Sequence, residues 1–281
     1  MTDLSIVAPA STGVQPAPDN GLPRYELLGV PVTAISLAQA VGALAHWIAH
    51  HDDGAPARWV CITGVHGIME CQRDPELQRI HEQAAMVTPD GMPLVWLGRL
   101  AGFRQMTRVY GPDLMTEICR RSPERGWRHF LYGGEPGVAE LLAERLRARF
   151  PGIGIVGTFC PPFRPLTETE REDTARMINQ ARPHILWVGL STPKQEKWMA
   201  EMAPRLRVPI LVGVGAAFDF LSGRKPQAPR WMQKSGLEWL FRLATEPRRL
   251  WRRYLVNNTA FLWALLRHGM PVAQRADAPH G

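Results

Sequence analysis

Between residues 58 and 214, short apolar runs alternate with longer segments in which apolar residues recur every three or four positions. The runs at 58–62, 86–87, 128–131, 153–156, 184–188 and 209–214 read as buried strands. The segments 37–50, 68–80, 137–150 and 168–181 read as helices, with another starting at Met92. Residues 25–32 form a short strand-like opening. Strands alternating with helices in this way predict an α/β fold, a parallel sheet covered by helices on both faces.

Near Phe220 the pattern changes, and the chain beyond is helical, basic and rich in tryptophan. Pro247 opens a helix there. Leu240, Leu243, Leu250, Trp251, Tyr254, Leu255, Phe261, Leu262 and Leu265 recur at helical intervals and make an amphipathic stripe. The expected division is a flexible tail at 1–22, a core at 23–222, a helical appendage at 223–268 and a second tail at 269–281.

Composition narrows the function classes. The 281 residues are 45% hydrophobic and 21% charged, which suits a globular chain and excludes a disordered one. The longest apolar stretches, 208–221 and 260–266, are too short to span a bilayer. Residues 1–20 have neither a basic start nor an apolar run, so no signal peptide is expected. Cys61, Cys71, Cys119 and Cys160 lack C-x-x-C spacing and a histidine cluster, so neither a metal site nor a disulfide framework is expected. A reduced cytosolic setting fits.

Nine cations (Arg224, Lys225, Arg230, Lys234, Arg242, Arg248, Arg249, Arg252, Arg253) lie in the same stretch as two acids, Glu238 and Glu246. Nine minus two is seven, the whole net charge of +7. Such a cluster implies an anionic partner: phosphate, lipid headgroups or nucleic acid. No helix-turn-helix, zinc or single-strand-binding pattern accompanies it, which disfavours nucleic acid.

Ligands of an open parallel sheet bind at the carboxyl ends of its strands. Polar or glycine-rich turns fall at five such ends: Thr63-Gly64 with His66, then 88–91, 132–134, 189–195 and 213–219. Asp90 has no cation within four residues; it is either a general base for a hydroxyl acceptor or, with Thr88, a cap of the next helix. Arg108, just before Tyr110-Gly111-Pro112-Asp113, either clamps a diphosphate or lies on the surface beside a helix capped by Asp113.

Gly133-Gly134 allows close approach of a phosphate or nucleoside, or is a plain tight turn. It is not G-x-G-x-x-G, so an NAD site is poorly supported. At 189–196, Ser191 or Thr192 can cap a helix with Pro193 in its first turn. That leaves Lys194 and Gln195 unexplained at a helix start facing the site, where an amide can read a uracil edge or a phosphate. Arg242, Arg249, Arg252 and Arg253 either converge on a diphosphate or anionic lipid, or form a solvated basic face. His66 and His184 read as ordinary core or surface histidines.

With these residues assembled, the chain from about Tyr25 to about Tyr254 resembles the WecG/TagA/CpsF family of glycosyltransferases. The ordered blocks are Thr88-Pro89-Asp90-Gly91, Arg108-Val109-Tyr110-Gly111-Pro112-Asp113-Leu114, Phe130-Leu131-Tyr132-Gly133-Gly134, residues 188–198, residues 214–219 and residues 229–254. The resemblance implies a Rossmann-like core with a membrane-docking helical appendage. It also implies inverting transfer, without metal or cofactor, from a UDP-sugar to a polyprenyl-diphosphate-linked sugar in exopolysaccharide or cell-surface glycan synthesis. By motif position Asp90 corresponds to the general base, Arg108 and Gln195 to substrate-pocket residues, and Arg242, Arg249 and Arg252 to arginines that engage the lipid diphosphate.

The family's Thr-x-Asn after the second strand is replaced here by Cys61-Ile62-Thr63-Gly64, with Gly64 in place of the Asn and either Ile62 or a shifted Thr63 in place of the Thr. Relatives that add N-acetylmannosamine-type sugars keep the Asn, so Thr63 and Gly64 are positions where donor or acceptor choice can differ. The resemblance is nearest to the xanthan-type exopolysaccharide branch, which adds glucose. The implied partners are a UDP-sugar, a lipid-linked acceptor and an anionic membrane surface, at the inner face of the bacterial plasma membrane, and a homo-oligomer is compatible with them. Two rival readings are a nucleotide-dependent oxidoreductase on the same core and a non-enzymatic membrane scaffold.

Overall fold

A computed structural model describes residues 21–268, except the side chains of Arg249, Arg253 and His268. Of the expected first tail at 1–22, residues 1–20 lie outside the described residues, as does the second tail at 269–281. Strands β1 (Arg24–Leu27) and β2 (Val30–Thr33) form an antiparallel hairpin apart from the main sheet, where the sequence suggested one opening strand. Leu28 and Gly29 both have positive φ, as a two-residue turn between twisted strands requires.

Helix α1 (Leu37–Ala49) starts in a capping box of Ser36 and Gln39. After β3 (Arg58–Thr63), the single helix expected over 68–80 is two, α2 (Val65–Cys71) and α3 (Pro75–Gln83). Asp74 caps the second, and Pro75, which lacks an N–H, cannot continue the first. There follow β4 (Met86–Pro89), α4 (Met92–Leu100), α5 (Gly111–Arg125), β5 (Arg128–Gly133), α6 (Val138–Arg149) and β6 (Gly154–Phe159). The core continues through α7 (Glu168–Ala181), β7 (Ile185–Gly189), α8 (Lys194–Met202), β8 (Ile210–Gly213) and α9 (Ala217–Leu221).

The main sheet has six parallel strands in the order β4-β3-β8-β7-β5-β6. Its strands are apolar on both faces, which is why they read as runs and not as alternation. Val60, Ile62, Leu131, Ile185, Trp187, Ile210 and Val212 pack with α1, α5, α6 and α9. Cys61, Val87, Phe130, Tyr132, Leu186, Val188 and Leu211 pack on the other side with α2, α3, α7 and α8. The expected α/β sheet, Rossmann-like and covered on both faces, is therefore what forms.

Register aligns the carboxyl ends: Thr63 pairs with Pro89, Cys61 and Val188 with Gly213, and Gly133 with Gly189. From the adjacent strands β3 and β8 the chain departs to opposite faces, into α2 and α9. That divergence opens a crevice at the carboxyl edge.

Beyond the core come α10 (Arg230–Lys234), α11 (Glu238–Thr245) and α12 (Pro247–His268). Helix α12 docks beside α2: Leu250 and Phe261 are buried, and Asn257 accepts from Arg73 at 2.8 Å and meets His66 Nδ1 at 2.9 Å. The expected apolar stripe divides, for Leu240, Trp251, Leu255 and Leu262 are exposed, together with Trp231, Trp239, Trp263 and Leu266. No described helix is long and apolar enough to cross a membrane.

Candidate active site

Asp90 follows β4 on a turn whose helix, α4, is capped by Gly91 at φ 144° and by no side chain. The capping role considered for Thr88 and Asp90 is therefore not taken up. The Asp90 N–H donates to the Thr63 carbonyl at 2.9 Å, while its Oδ1 accepts from Arg108 Nη2 at 3.0 Å. Backbone pairing of Val109 N–H with the Pro89 carbonyl at 3.0 Å brings Arg108 to this spot. Arg108 is not the surface residue of the alternative reading: its side chain is 14% exposed and its guanidinium lies 3.9 Å from the Tyr110 ring centre.

The same Nη2 donates to Glu238 Oε2 of α11 at 2.6 Å. Glu238 was seen in the sequence only as one of two acids in a basic stretch; nothing local signals a partner 130 residues away. Burial alone would lower the Arg108 pKa, but Asp90 and Glu238 outweigh it and hold the guanidinium charged. Burial raises Glu238, with Asp90 adding, against the pull of Arg108 and Arg242. Arg242 stacks 5.8 Å from the Phe220 ring centre, and Phe220 is 6.5 Å from Tyr110. The Nε atoms of Arg108 and Arg242 are buried without a hydrogen-bond partner.

On the far side of β3 and β8, α8 begins after Pro193 with no side-chain cap, so the predicted cap by Ser191 or Thr192 is absent. Ser191 instead sits at φ 64°, and its carbonyl accepts the Gln195 N–H at 3.0 Å. Thr192 Oγ1 and Gln195 Nε2 both donate to Glu196 Oε1, at 2.9 and 3.0 Å. Gln195 and Glu196 are buried, yet Gln195 Oε1 and Glu196 Oε2 have no partner. Burial pushes the Glu196 pKa up. A Cβ on Gly213 would come within 2.9 Å of Gln195 Nε2, so glycine there makes room for the amide.

Gly133 and Gly134 have φ of 111° and 80°; a Cβ on Gly133 would lie 2.8 Å from the Gly189 carbonyl oxygen. Gly134 N–H donates to that carbonyl at 3.0 Å, so this turn has a packing role of its own. A Cβ on Gly64 would stand 2.7 Å from the Asp90 carbonyl oxygen, so a larger residue there must displace the Asp90 turn. Thr63 is buried, and its hydroxyl pairs with His81 Nε2 at 3.0 Å. It supports Asp90 through its carbonyl, and its side chain turns into the core.

These residues form a line along the carboxyl edge. Asp90 ends β4 and Gly133-Gly134 end β5, four strand spacings away in sheet order, or roughly 19 Å. Gln195 lies between them, against Gly213. An extended ligand, and no single side-chain contact, would connect the two ends. Of the appendage arginines, Arg242 joins the site, Arg252 is exposed, and the Arg249 side chain is outside the described residues. Other appendage cations meet core acids, Arg230 with Asp113 at 2.8 Å and Arg224 with Glu135 at 2.8 Å. Part of the basic excess thus fastens the appendage to the core.

The chain is 30% identical over 212 residues to the N-acetylglucosaminyldiphosphoundecaprenol N-acetyl-beta-D-mannosaminyltransferase of Bacillus spizizenii, covering 75% of this chain and 78% of that one. A protein of the same description from Bacillus subtilis is 29% identical over 183 residues, 65% of this chain and 69% of its own length. The model of the glycosyl transferase WecG/TagA/CpsF family matches residues 25–275. With most of its length matched and its charged turns gathered along one sheet edge, the chain belongs to the WecG/TagA/CpsF family of glycosyltransferases.

Proposed function

We propose that the protein transfers a hexosyl unit from a UDP-sugar to a polyprenyl-diphosphate-linked sugar at the cytoplasmic face of a bacterial membrane. The observation that carries this reading is the Asp90–Arg108–Glu238 contact, a carboxylate at a strand end held in a half-buried charged cleft beneath a basic appendage. The named relatives act on an undecaprenyl-diphosphate-linked sugar, which suits a site placed beside a lipid-facing surface.

The reaction is a single displacement with inversion. Asp90 takes the proton of the acceptor hydroxyl, whose oxygen forms a bond to the anomeric carbon. The bond from that carbon to the donor phosphate breaks, and the electron pair leaves with UDP. Arg108 and Arg242 oppose the charge appearing on the diphosphate. Gln195 offers its unpaired Oε1 to a donor group of the ligand.

Exposed Trp231, Trp239, Trp251, Trp263, Leu262 and Leu266 with exposed Lys234, Arg248 and Arg252 suit a reversible hold on anionic lipid. Each such cation contributes on the order of 1 kcal/mol. Gly64, packed on Asp90, distinguishes this site from relatives with Asn, and a glucose-type donor in exopolysaccharide synthesis is the reading we favour.

The test incubates the protein with a panel of UDP-sugars and synthetic lipid-diphosphate monosaccharides, and product masses identify donor and acceptor. A new product of one added hexose, absent with Asp90→Asn, is expected. Full turnover by Asp90→Asn, or no product with any pair, defeats the reading.

A further inference from the structure

Arg108 makes an unusual choice of partners. A guanidinium beside a carboxylate ordinarily closes a fork of two parallel N–H···O bonds. Here Nη2 alone reaches Asp90, at Oδ1, and the buried Nε bonds to nothing. The second hydrogen of Nη2 goes to Glu238 at 2.6 Å, the shorter of the two contacts. The Tyr110 ring, 3.9 Å beneath the guanidinium, fixes its plane. Glu238 opens α11, where the helix dipole favours a negative charge, and Arg242 stands one turn along the same helix. The titratable groups around this contact are Asp90, Tyr110, Glu238, Arg242 and Tyr254.

We propose that Glu238 is a positioning residue. By holding one N–H of Arg108, it keeps the guanidinium from closing a fork on Asp90 and leaves Asp90 Oδ2 open to the acceptor hydroxyl. Without it, Arg108 rotates until Nε and Nη2 occupy both Asp90 oxygens, and the base is blocked. The appendage therefore tunes the base through a carboxylate, in addition to any part its cations play. This inference rests on Asp90 acting as the base.

The test measures kcat and KM for donor and acceptor in E238M, which has no oxygen to accept from Arg108, in E238D and R108M, and in the E238M/R108M pair, with melting temperatures alongside. E238M is expected to lower kcat between about ten- and a hundred-fold, as misplacement of a reacting group does, with donor KM changed less than kcat. E238D keeps the carboxylate and is expected to return most of that kcat. In the R108M background no fork can form, so E238M is expected to add no further loss.

An unchanged kcat in E238M, equal losses in E238M and E238D, or full additivity with R108M would overturn the proposal. If E238M does not fold, E238D decides, and a loss above about ten-fold at an unchanged melting temperature counts against it. Failure of the wild-type protein to transfer any sugar, or turnover by Asp90→Asn, instead removes the underlying reading.

Discussion

At the amino end of β5, His129 is fully buried, yet each of its ring nitrogens has a partner. Trp187 Nε1 donates to Nδ1 at 3.0 Å, so Nε2 carries the proton and donates to Ser122 Oγ at 2.7 Å. Ser122 in turn donates to the Ile118 carbonyl at 2.7 Å. At the carboxyl edge of the same sheet, Gln195 Oε1, Glu196 Oε2, Arg108 Nε and Arg242 Nε are buried with no partner at all. Buried polar groups are normally satisfied, and a network left partly open sacrifices stability for something else. The first network serves the fold; the second has bonding capacity that the fold itself does not use.

The largest expected effect separates the two ends cleanly. Asp90→Asn should reduce kcat by about 10²–10⁴, the range of a lost general base, with an unchanged melting temperature. His129→Leu should do the reverse, stranding the Trp187 N–H and costing roughly 1–3 kcal/mol of stability. Thermal melts and turnover per folded molecule, measured on both variants, check the pair. If His129→Leu loses turnover at an unchanged melt, the division between fold and site is broken.

Acid sharpens the same contrast. Burial, with His184 adding, lowers the His129 pKa from 6.5 to about 3, so the ring is neutral in the native state. The stability this gives is complete above the unfolded value and is lost as pH falls toward the native one. Between pH 6.5 and 5 the loss should reach roughly 2 kcal/mol. Urea unfolding at the two pH values checks it, and His129→Leu should flatten that slope.

How much of this was legible depends on the reach of the signal. Strands and helices of the core follow from local periodicity, so β3, β7, α1 and α7 fall within a residue or two of expectation. The break between α2 and α3 was also written locally, in Asp74-Pro75, but the apolar spacing across it hid the stop. The turns carrying Asp90 and Gln195 stood out because strand ends collect ligands, and Arg108 because it precedes a glycine-containing helix start. Their partners did not: Glu238 reaches Arg108 only through tertiary docking, and Thr63 turns to His81 because of how α3 packs. Cap motifs misled at 88–91 and 191–196, where the polar side chains bond elsewhere. The tail stripe misled for a related reason, since periodicity gives a helix face but not what covers it.

The smallest effect is the most discriminating, because it sets stability against function at one side chain. Glu196 is buried, and burial raises its pKa above the ordinary 4.5. At pH below 4.5 it is protonated in both states and contributes no pH dependence. As pH rises from there toward the elevated native value, the unfolded chain ionises first and wild-type stability falls. Glu196→Gln cannot ionise, so it should be more stable than wild type at pH 8, by on the order of 1 kcal/mol, with the advantage shrinking toward pH 4.5. Yet Glu196 Oε1 accepts from Gln195 Nε2 at 3.0 Å, and it is this contact that sets which end of the Gln195 amide is bonded and which is left open. A glutamine at 196 offers either end, so Gln195 loses its set polarity and the donor KM should rise several-fold while the melt improves. Parallel melts and donor titrations at pH 8 read both quantities. A variant that gains stability with no change in donor KM would mean that the open oxygen of Gln195 is a packing accident and not part of the site.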